Sequence, residues 1–333
     1  MSLHTPPQRP TRPNRSQLTV PGSSPRFIDK AQRLAADIVL FDLEDAVPVG
    51  EKENARRTIA AAINDLDWGE RTLSVRINGL DTPFMYRDLI EVVEQAGERL
   101  DLVMIPKVAH PADIYTVDVL LTQIEAAKRR TKRIGIEAMI ESALGMENVG
   151  AIAAASPRLE SLHFGSGDFA ASTGIRTLAI GGDHPDYTVL GAADASGRRP
   201  AYPGDVWHYA LARLVVAARA HGLRPVDGPF AGIGDDEGFL AAAKRAAALG
   251  CAGKWVLHPS QVELANAVFT PSAEELKDAR AILGALADAG AAGKAALTLG
   301  GRMIDIASIR QAEAMVRTYE AIARLAPSGG RAP

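Results

Sequence analysis

The sequence predicts an α/β protein folded as a (β/α)8 barrel, a TIM barrel with a C-terminal helical lid. Three observations carry that reading. Eight short, β-branched, largely apolar segments recur along the chain. Most are followed by turn residues and then by a longer stretch rich in Ala, Leu, Glu and Arg. Several, such as DIVLFDL (37–43) and LVMIP (102–106), lack the alternation of a half-exposed strand, as suits parallel strands buried on both faces. A doubly wound open sheet has the same order of elements, and pattern alone leaves it open.

The elements follow in order. Residues 1–15 form an arm in which Pro6, Pro7, Pro10 and Pro13 forbid helix, and a flexible segment is expected. Strands are expected at 17–20, 38–43, 73–77, 102–105, 134–140, 161–164, 224–226 and 254–257. Helices are expected at 51–64, 111–130 and 236–249, among others. Residues 181–205 are polar and turn-rich, and a loop of that length is usually functional or mobile. Beyond the eighth strand come a helix at 273–289, a Gly/Ala-rich connector and a helix at about 304–325. The expected division is an arm (1–15), a catalytic barrel (16–270) and a helical lid or oligomer contact (271–333).

Composition narrows the function. The 333 residues hold 37 Lys+Arg against 40 Asp+Glu, a net charge of −3, without the basic excess of a nucleic-acid binder. No apolar run approaches the ~18 residues of a membrane helix, and the N-terminus lacks the apolar core of a secretory signal. The single cysteine, Cys251, rules out an intramolecular disulfide framework and reads as a small buried hydrophobe. A cytoplasmic enzyme, with no nucleic-acid or membrane partner, is the expectation.

In such a barrel the chemistry sits at the C-terminal ends of the strands. Seven of the eight expected ends carry ionisable residues: Glu44 and Asp45, Arg76, Lys107, Glu141, Asp168, Asp227 and His258. Glu141 and Asp168 follow successive strands, and neighbouring parallel strands lie ~4.8 Å apart. The two carboxylates can therefore share a Mg²⁺, with water and substrate filling its other positions. The alternative is a helix N-cap for Asp168 and a rim ion pair for Glu141. Arg76 can clamp a carboxylate through two parallel hydrogen bonds, or pair with Glu44 or Asp45 in the barrel mouth. His258 reads as a rim histidine held by Pro259, and Asp305 as a helix cap. GSGDFA (165–170) only imitates a dinucleotide fingerprint, because Asp168 would face a pyrophosphate with the wrong charge.

These strand ends lie within longer specific segments: FDLEDAV, DLDWG, SVRINGLDTPFMYRD, MIPKV, IESALGMENV, FAAS, GLRPVDGPF, GKWVLHPSQ, LANAVFTPS and GRMIDIASIRQAE. Through them the chain resembles the malyl-CoA lyases, in the citrate-lyase-β-like (CitE-like) branch of the HpcH/HpaI aldolase superfamily. The resemblance runs from about Arg12 to the lid. It implies reversible cleavage of (S)-malyl-CoA to acetyl-CoA and glyoxylate with Mg²⁺ (or Mn²⁺), and β-methylmalyl-CoA as a further substrate. It implies a homotrimer or homohexamer in which one subunit's lid covers a neighbour's site.

By position, the resemblance makes Glu141 and Asp168 the metal ligands and Glu44 and Asp45 supports of the metal's water shell. Arg76 becomes the substrate arginine and Asp305 a lid acid acting in trans. Lys30, Leu257 and His258 become coenzyme A contacts, and Gly167 a backbone contact to the small acid. The chain departs from some members at Thr19, where they carry an aromatic, and at Ser24, where they carry an arginine. Both positions lie near the coenzyme A, where Arg26 is a candidate substitute cation. Gly167 also adds a glycine to a segment that reads GVADY or GAADF in relatives. The alternatives of another class are a malyl-CoA thioesterase, a lyase for citramalyl-CoA or another 3-hydroxyacyl-CoA, and a non-catalytic scaffold.

Overall fold

A computed structural model describes residues 9–290, 297–299 and 302–325. Eight parallel strands close into a barrel: β1 (Ser16–Pro21), β2 (Ile38–Asp42), β3 (Thr72–Arg76), β4 (Leu102–Ile105), β5 (Gly135–Ile140), β6 (Leu159–Phe164), β7 (Arg224–Asp227) and β8 (Gly253–Val256). Each pairs with its sequence neighbour, and β8 pairs with β1. The closed sheet decides against the doubly wound alternative. Strand ends move by one or two residues from expectation. At β8 the shift places Leu257, beside His258, in the loop beyond the strand.

The helices α1 (Pro25–Ala31), α2 (Lys52–Asp65), α3 (Met85–Gln95), α4 (Pro111–Lys128), α5 (Ala143–Glu147), α6 (Val149–Ala153), α7 (Ser166–Thr173), α8 (His208–Ala220), α9 (Asp236–Leu249) and α10 (Ser260–Phe269) alternate with the strands. Their sequences explain which face is buried. On α4, Ile114, Val117, Leu121 and Ile124 recur at helical spacing, and all are buried. Pro111, at the first turn of that helix, has no N–H to leave unsatisfied.

Strand alternation builds the barrel interior in layers. Deep inside, Glu137 is fully buried among donors: Gln17 Nε2 at 3.0 Å, Ser74 Oγ at 2.6 Å, Ser161 Oγ at 3.0 Å and His163 Nε2 at 3.1 Å. Burial alone would push this carboxyl up, but the neighbouring His163 and the hydroxyl donors hold it at about 2. Leu40, Met104, Met139, Val226 and Trp255 form a buried apolar cluster. Two positions further along three of these strands stand Asp42, Glu141 and Leu257, at the C-terminal rim.

Three segments differ from expectation. Within 181–205, Thr188–Leu190 and Ala201–Pro203 pair as an antiparallel ribbon whose residues are exposed. Within the expected arm, Asn14 is buried and Arg15 binds Asp37 at 2.7 Å. Residues 1–8 of that arm lie outside the described residues. In the expected connector, Leu297–Leu299 pairs antiparallel with Arg302–Ile304, and 291–296, 300 and 301 lie outside the described residues.

The chain divides into two compact units, one built on Asn14–Asn266 and one on the chain from Ala267. The second holds α11 (Ala273–Gly290), the 297–304 ribbon and α12 (Ile306–Leu325). Residues 326–333 of the expected lid lie outside the described residues. Among the described residues no helix is long and apolar enough to cross a membrane.

Candidate active site

Strand register assembles the rim. Asp42 at the end of β2 is paired in register with Arg76 at the end of β3. Asp42 accepts from Arg76 Nε at 2.7 Å and from Nη2 at 2.6 Å, the two parallel bonds of a fork. Asp42 also accepts the backbone N–H groups of Glu44 and Ala46. Burial opposes its ionisation, yet the Arg76 charge and these bonds hold its carboxyl below the ordinary carboxylate range. Arg76 is buried, which disfavours its charge, but Asp42 and Glu44 outweigh burial and raise its pKa. Its guanidinium lies 5.5 Å from the centre of the Trp255 ring, within cation–π range. Trp255 is held in turn by its Nε1–H, which donates to His163 Nδ1 at 2.8 Å.

The arginine reaches the acids of the next loop. Arg76 Nη1 lies 2.7 Å from Glu44 Oε2 and 3.8 Å from Asp45. The expected rim salt bridge thus exists, but the dominant partner is Asp42, which the sequence reading did not single out. Asp42 is the last residue of an apolar run, and a polar residue there was the available signal. Glu44 is buried and Asp45 is 62% exposed, so only Glu44 is a fixed part of the wall. Burial raises the Glu44 pKa even though Arg76 and Lys107 oppose it.

The pairing of Ile140 with Phe164 sets Glu141 and Gly165 side by side just past β5 and β6. Glu141 is 3% exposed and accepts the backbone N–H of Lys107 at 2.7 Å on Oε1. Burial, aided by the charges of Glu44 and Asp168, pushes its carboxyl up to about 8. A Cβ on residue 165 would lie 2.4 Å from Glu141 Oε2, so glycine there leaves that oxygen its space. Asp168 is exposed in the first turn of α7, and Gly165 rather than Asp168 takes the N-cap. Gly167 is half-buried, and a Cβ there would touch Ile180 at 3.6 Å.

A divalent cation fits this donor set. Hard carboxylate oxygens on a protein that offers only one or two ligands suit Mg²⁺ completed by water and substrate. Among the described residues no group of three or more His, Cys, Asp or Glu is placed to hold a metal ion. A buried carboxyl that favours its neutral form without a cation, with one oxygen kept clear by a glycine, is a group awaiting positive charge. Two buried hydroxyls, Thr19 Oγ1 and Ser166 Oγ, have no protein partner and await a polar ligand or water.

Beside the ends of β1 and β8 lies a cavity of about 200 Å³. Thr19, Lys30, Leu257 and His258, all expected coenzyme A contacts, line it together with Phe27 and Leu34. Ser24 does not line it; it precedes α1 as the N-cap residue. Phe27, half-exposed in this wall, was missed by sequence reasoning. His258 is fixed by Ser260, whose Oγ lies 2.9 Å from Nδ1. Cys251 is buried, and burial raises its thiol pKa, so it is inert packing. In the second unit Asp305 is exposed and caps α12, accepting from Ser308 N and Oγ at 2.9 Å each. The Ser308 hydrogen bonds lower its pKa.

Known proteins resemble this chain in sequence and in fold. The L-malyl-CoA/β-methylmalyl-CoA lyase of Cereibacter sphaeroides is 53% identical over 322 residues, 97% of this chain and 99% of the relative. The (3S)-malyl-CoA thioesterase of the same species is 35% identical over 311 residues, 93% and 96% of the two chains. The crystal structure of CitE from Mycobacterium tuberculosis with magnesium, acetoacetate and coenzyme A is 28% identical, with a TM-score of 0.67, covering 92% of this chain and 97% of that one. The HpcH/HpaI aldolase/citrate lyase family model matches residues 15–259, and the chain belongs to that family.

Proposed function

We propose that this protein is a Mg²⁺-dependent carbon–carbon lyase that cleaves (S)-malyl-CoA reversibly to acetyl-CoA and glyoxylate. β-Methylmalyl-CoA, giving propionyl-CoA and glyoxylate, is its second substrate. The observation that carries the reading is the rim itself. A fixed arginine and a buried carboxylate with one oxygen kept clear stand at one barrel mouth, with a cavity for the thioester at the ends of neighbouring strands.

Glu141 and Asp168 are the residues that would hold Mg²⁺, with Glu44 and Asp45 orienting its water. When bound, the ion supplies a Lewis acid at the carboxylate and hydroxyl oxygens of the small acid. Asp42 takes the Nε–H and one Nη2–H of Arg76, and Nη1 stands as an ion pair beside Glu44, which leaves further N–H groups for substrate. In this reading they serve the thioester oxygen, where negative charge develops as the C–C bond breaks. Charge fixed before the reaction is usually the largest catalytic term, and Asp42 provides that fixation. The cavity lined by Thr19, Lys30, Leu257 and His258 receives the coenzyme A, with Ser24 at its approach. Gly167 offers its backbone to the small acid. Asp305 of a second copy takes the hydroxyl proton as the C–C bond breaks and passes it to the enolate carbon, and in the reverse direction it removes a proton from acetyl-CoA and returns it to the new hydroxyl. The reading includes a cytoplasmic homotrimer or homohexamer, with residues 271–333 as the lid.

The 53% relative supports the lyase over the thioesterase, whose named relative is 35% identical. The deciding assay incubates the protein with malyl-CoA and Mg²⁺ and measures four products. Glyoxylate with acetyl-CoA is expected. Malate with free thiol would replace the lyase by the thioesterase, and no product would remove both.

A further inference from the structure

Lys107 touches both halves of the rim. Its backbone N–H donates to Glu141 Oε1 at 2.7 Å, and its Nζ donates to Glu44 Oε1 at 2.7 Å. The other oxygen of Glu44 lies 2.7 Å from Arg76 Nη1. One residue therefore connects the carboxylate proposed for the metal with the arginine proposed for the substrate, through a single intervening glutamate.

The backbone at this position is unusual. Lys107 has φ +52°, and the only other described non-glycine residue with positive φ is Arg129, at a helix C-cap. A side-chain-bearing residue pays a steric penalty in the left-handed region and keeps that shape where its surroundings over-determine it. Here the residue that follows is held in place. Val108 N donates to Met139 O, and the Val108 carbonyl stands where a Cβ on residue 145 would lie 2.3 Å away. The left-handed turn is what lets two successive N–H groups serve the end of β5: Lys107 N donates to Glu141 and Val108 N to Met139 O. An extended residue would send the chain away from β5 and could not keep both bonds.

We propose that Lys107 is a positioning residue that sets the spacing of Glu141 and Arg76, through its left-handed backbone on one side and its ammonium on the other. The inference rests on the reading of Glu141 as a metal ligand and Arg76 as the substrate arginine. It predicts that the two attachments separate on mutation. Glycine adopts φ +52° without penalty, so Lys107→Gly keeps the N–H on Glu141 and removes only the hold on Glu44. Lys107→Ala removes the ammonium and its bond to Glu44 and keeps the left-handed penalty that glycine relieves, so the backbone bonds alone must hold the turn.

The test compares the two variants in the full-length protein. Crystal structures without metal give the distance from residue 107 N to Glu141 Oε1 and from Arg76 Nη1 to Glu44 Oε2. The first distance is expected to persist in the glycine variant and lengthen in the alanine variant, and the second to lengthen in both. In solution, kcat for malyl-CoA cleavage is expected to fall at least tenfold in both. Titration calorimetry with Mg²⁺ is expected to show weaker binding, by about fivefold or more, in the alanine variant alone. Unmoved Arg76 and Glu44 in both variants would overturn the proposal, as would equal Mg²⁺ affinities in the two. If the parent releases no glyoxylate from malyl-CoA, the lyase reading falls, while the two crystal distances still decide the role of Lys107.

Discussion

Asp42 and Arg76 meet as a two-bond fork at 2.7 and 2.6 Å because the β2–β3 register places them directly side by side. Neither is free to turn. The aspartate is spent on two backbone N–H groups as well, and the guanidinium rests against Trp255. Catalysis by a cation needs that immobility, since a guanidinium that must reorient as charge develops loses much of its effect.

Asp42→Ala removes the partner of a buried charge. Truncating one member of such a pair leaves the other desolvated and costs about 3 kcal/mol or more. Urea unfolding is expected to show that loss. Asp42→Asn, which keeps the shape, is expected to retain most stability but lower kcat at least a hundredfold. Unchanged kcat in the asparagine variant would mean that Arg76 does not depend on the fork.

Gly165→Ala places a methyl 2.4 Å from Glu141 Oε2. The same methyl would lie 2.4 Å from Glu141 Cβ, so the ends of β5 and β6 must part there and carry the carboxylate out of place. Calorimetric titration is expected to show Mg²⁺ affinity at least tenfold weaker, with circular dichroism unchanged. Parent-like affinity would remove Glu141 Oε2 from the metal assignment.

Trp255→Phe keeps an aromatic ring under Arg76 and deletes the N–H that His163 Nδ1 accepts at 2.8 Å. An unmet buried acceptor costs about 1–3 kcal/mol. Trp255→Leu also loses the cation–π contact. The expected order of kcat is parent, phenylalanine, leucine, with KM for malyl-CoA nearly constant. A change confined to KM would place Trp255 at the substrate rather than behind the arginine.

Glu137 makes the barrel acid-sensitive in a definite window. Its folded pKa of about 2 lies below the ordinary glutamate value of about 4.3. A lowered carboxyl stabilises the fold fully above the unfolded value, and that contribution is lost as pH falls through the folded one. Melting temperature is therefore expected to fall between about pH 4.3 and pH 2. In Glu137→Gln that part of the slope disappears while the protein melts lower at pH 7. An equal slope in both proteins would assign the acid sensitivity to other carboxylates.

Asp305→Asn separates cap from acid. Asparagine caps helices about as well as aspartate, so α12 and the melting temperature are expected to persist. Exchange of the acetyl-CoA α-protons with deuterated water is expected to stop. Continued exchange would leave Asp305 as the cap it forms in the second unit.

The barrel and half of its rim were legible from local pattern. Buried parallel strands write themselves as apolar runs, and a polar residue that ends such a run marks the rim, as Arg76 and Glu141 do. The grouping of Thr19, Lys30, Leu257 and His258 as proposed coenzyme A contacts came from resemblance. Their meeting around one cavity came from the closure of β8 onto β1.

What tertiary structure alone decided is partnership. Asp42 and Arg76 are 34 residues apart, Glu44 and Lys107 63, and His163 and Trp255 92. No period in the sequence connects such pairs, because register and closure are set by the whole sheet. The left-handed turn at Lys107 was equally hidden, since lysine carries no mark of it. The sequence by itself determined which residue types reach the rim. The closed barrel determined which of them hold one another, because fork geometry, burial and the resulting pKa values depend on distances that exist only after β8 meets β1.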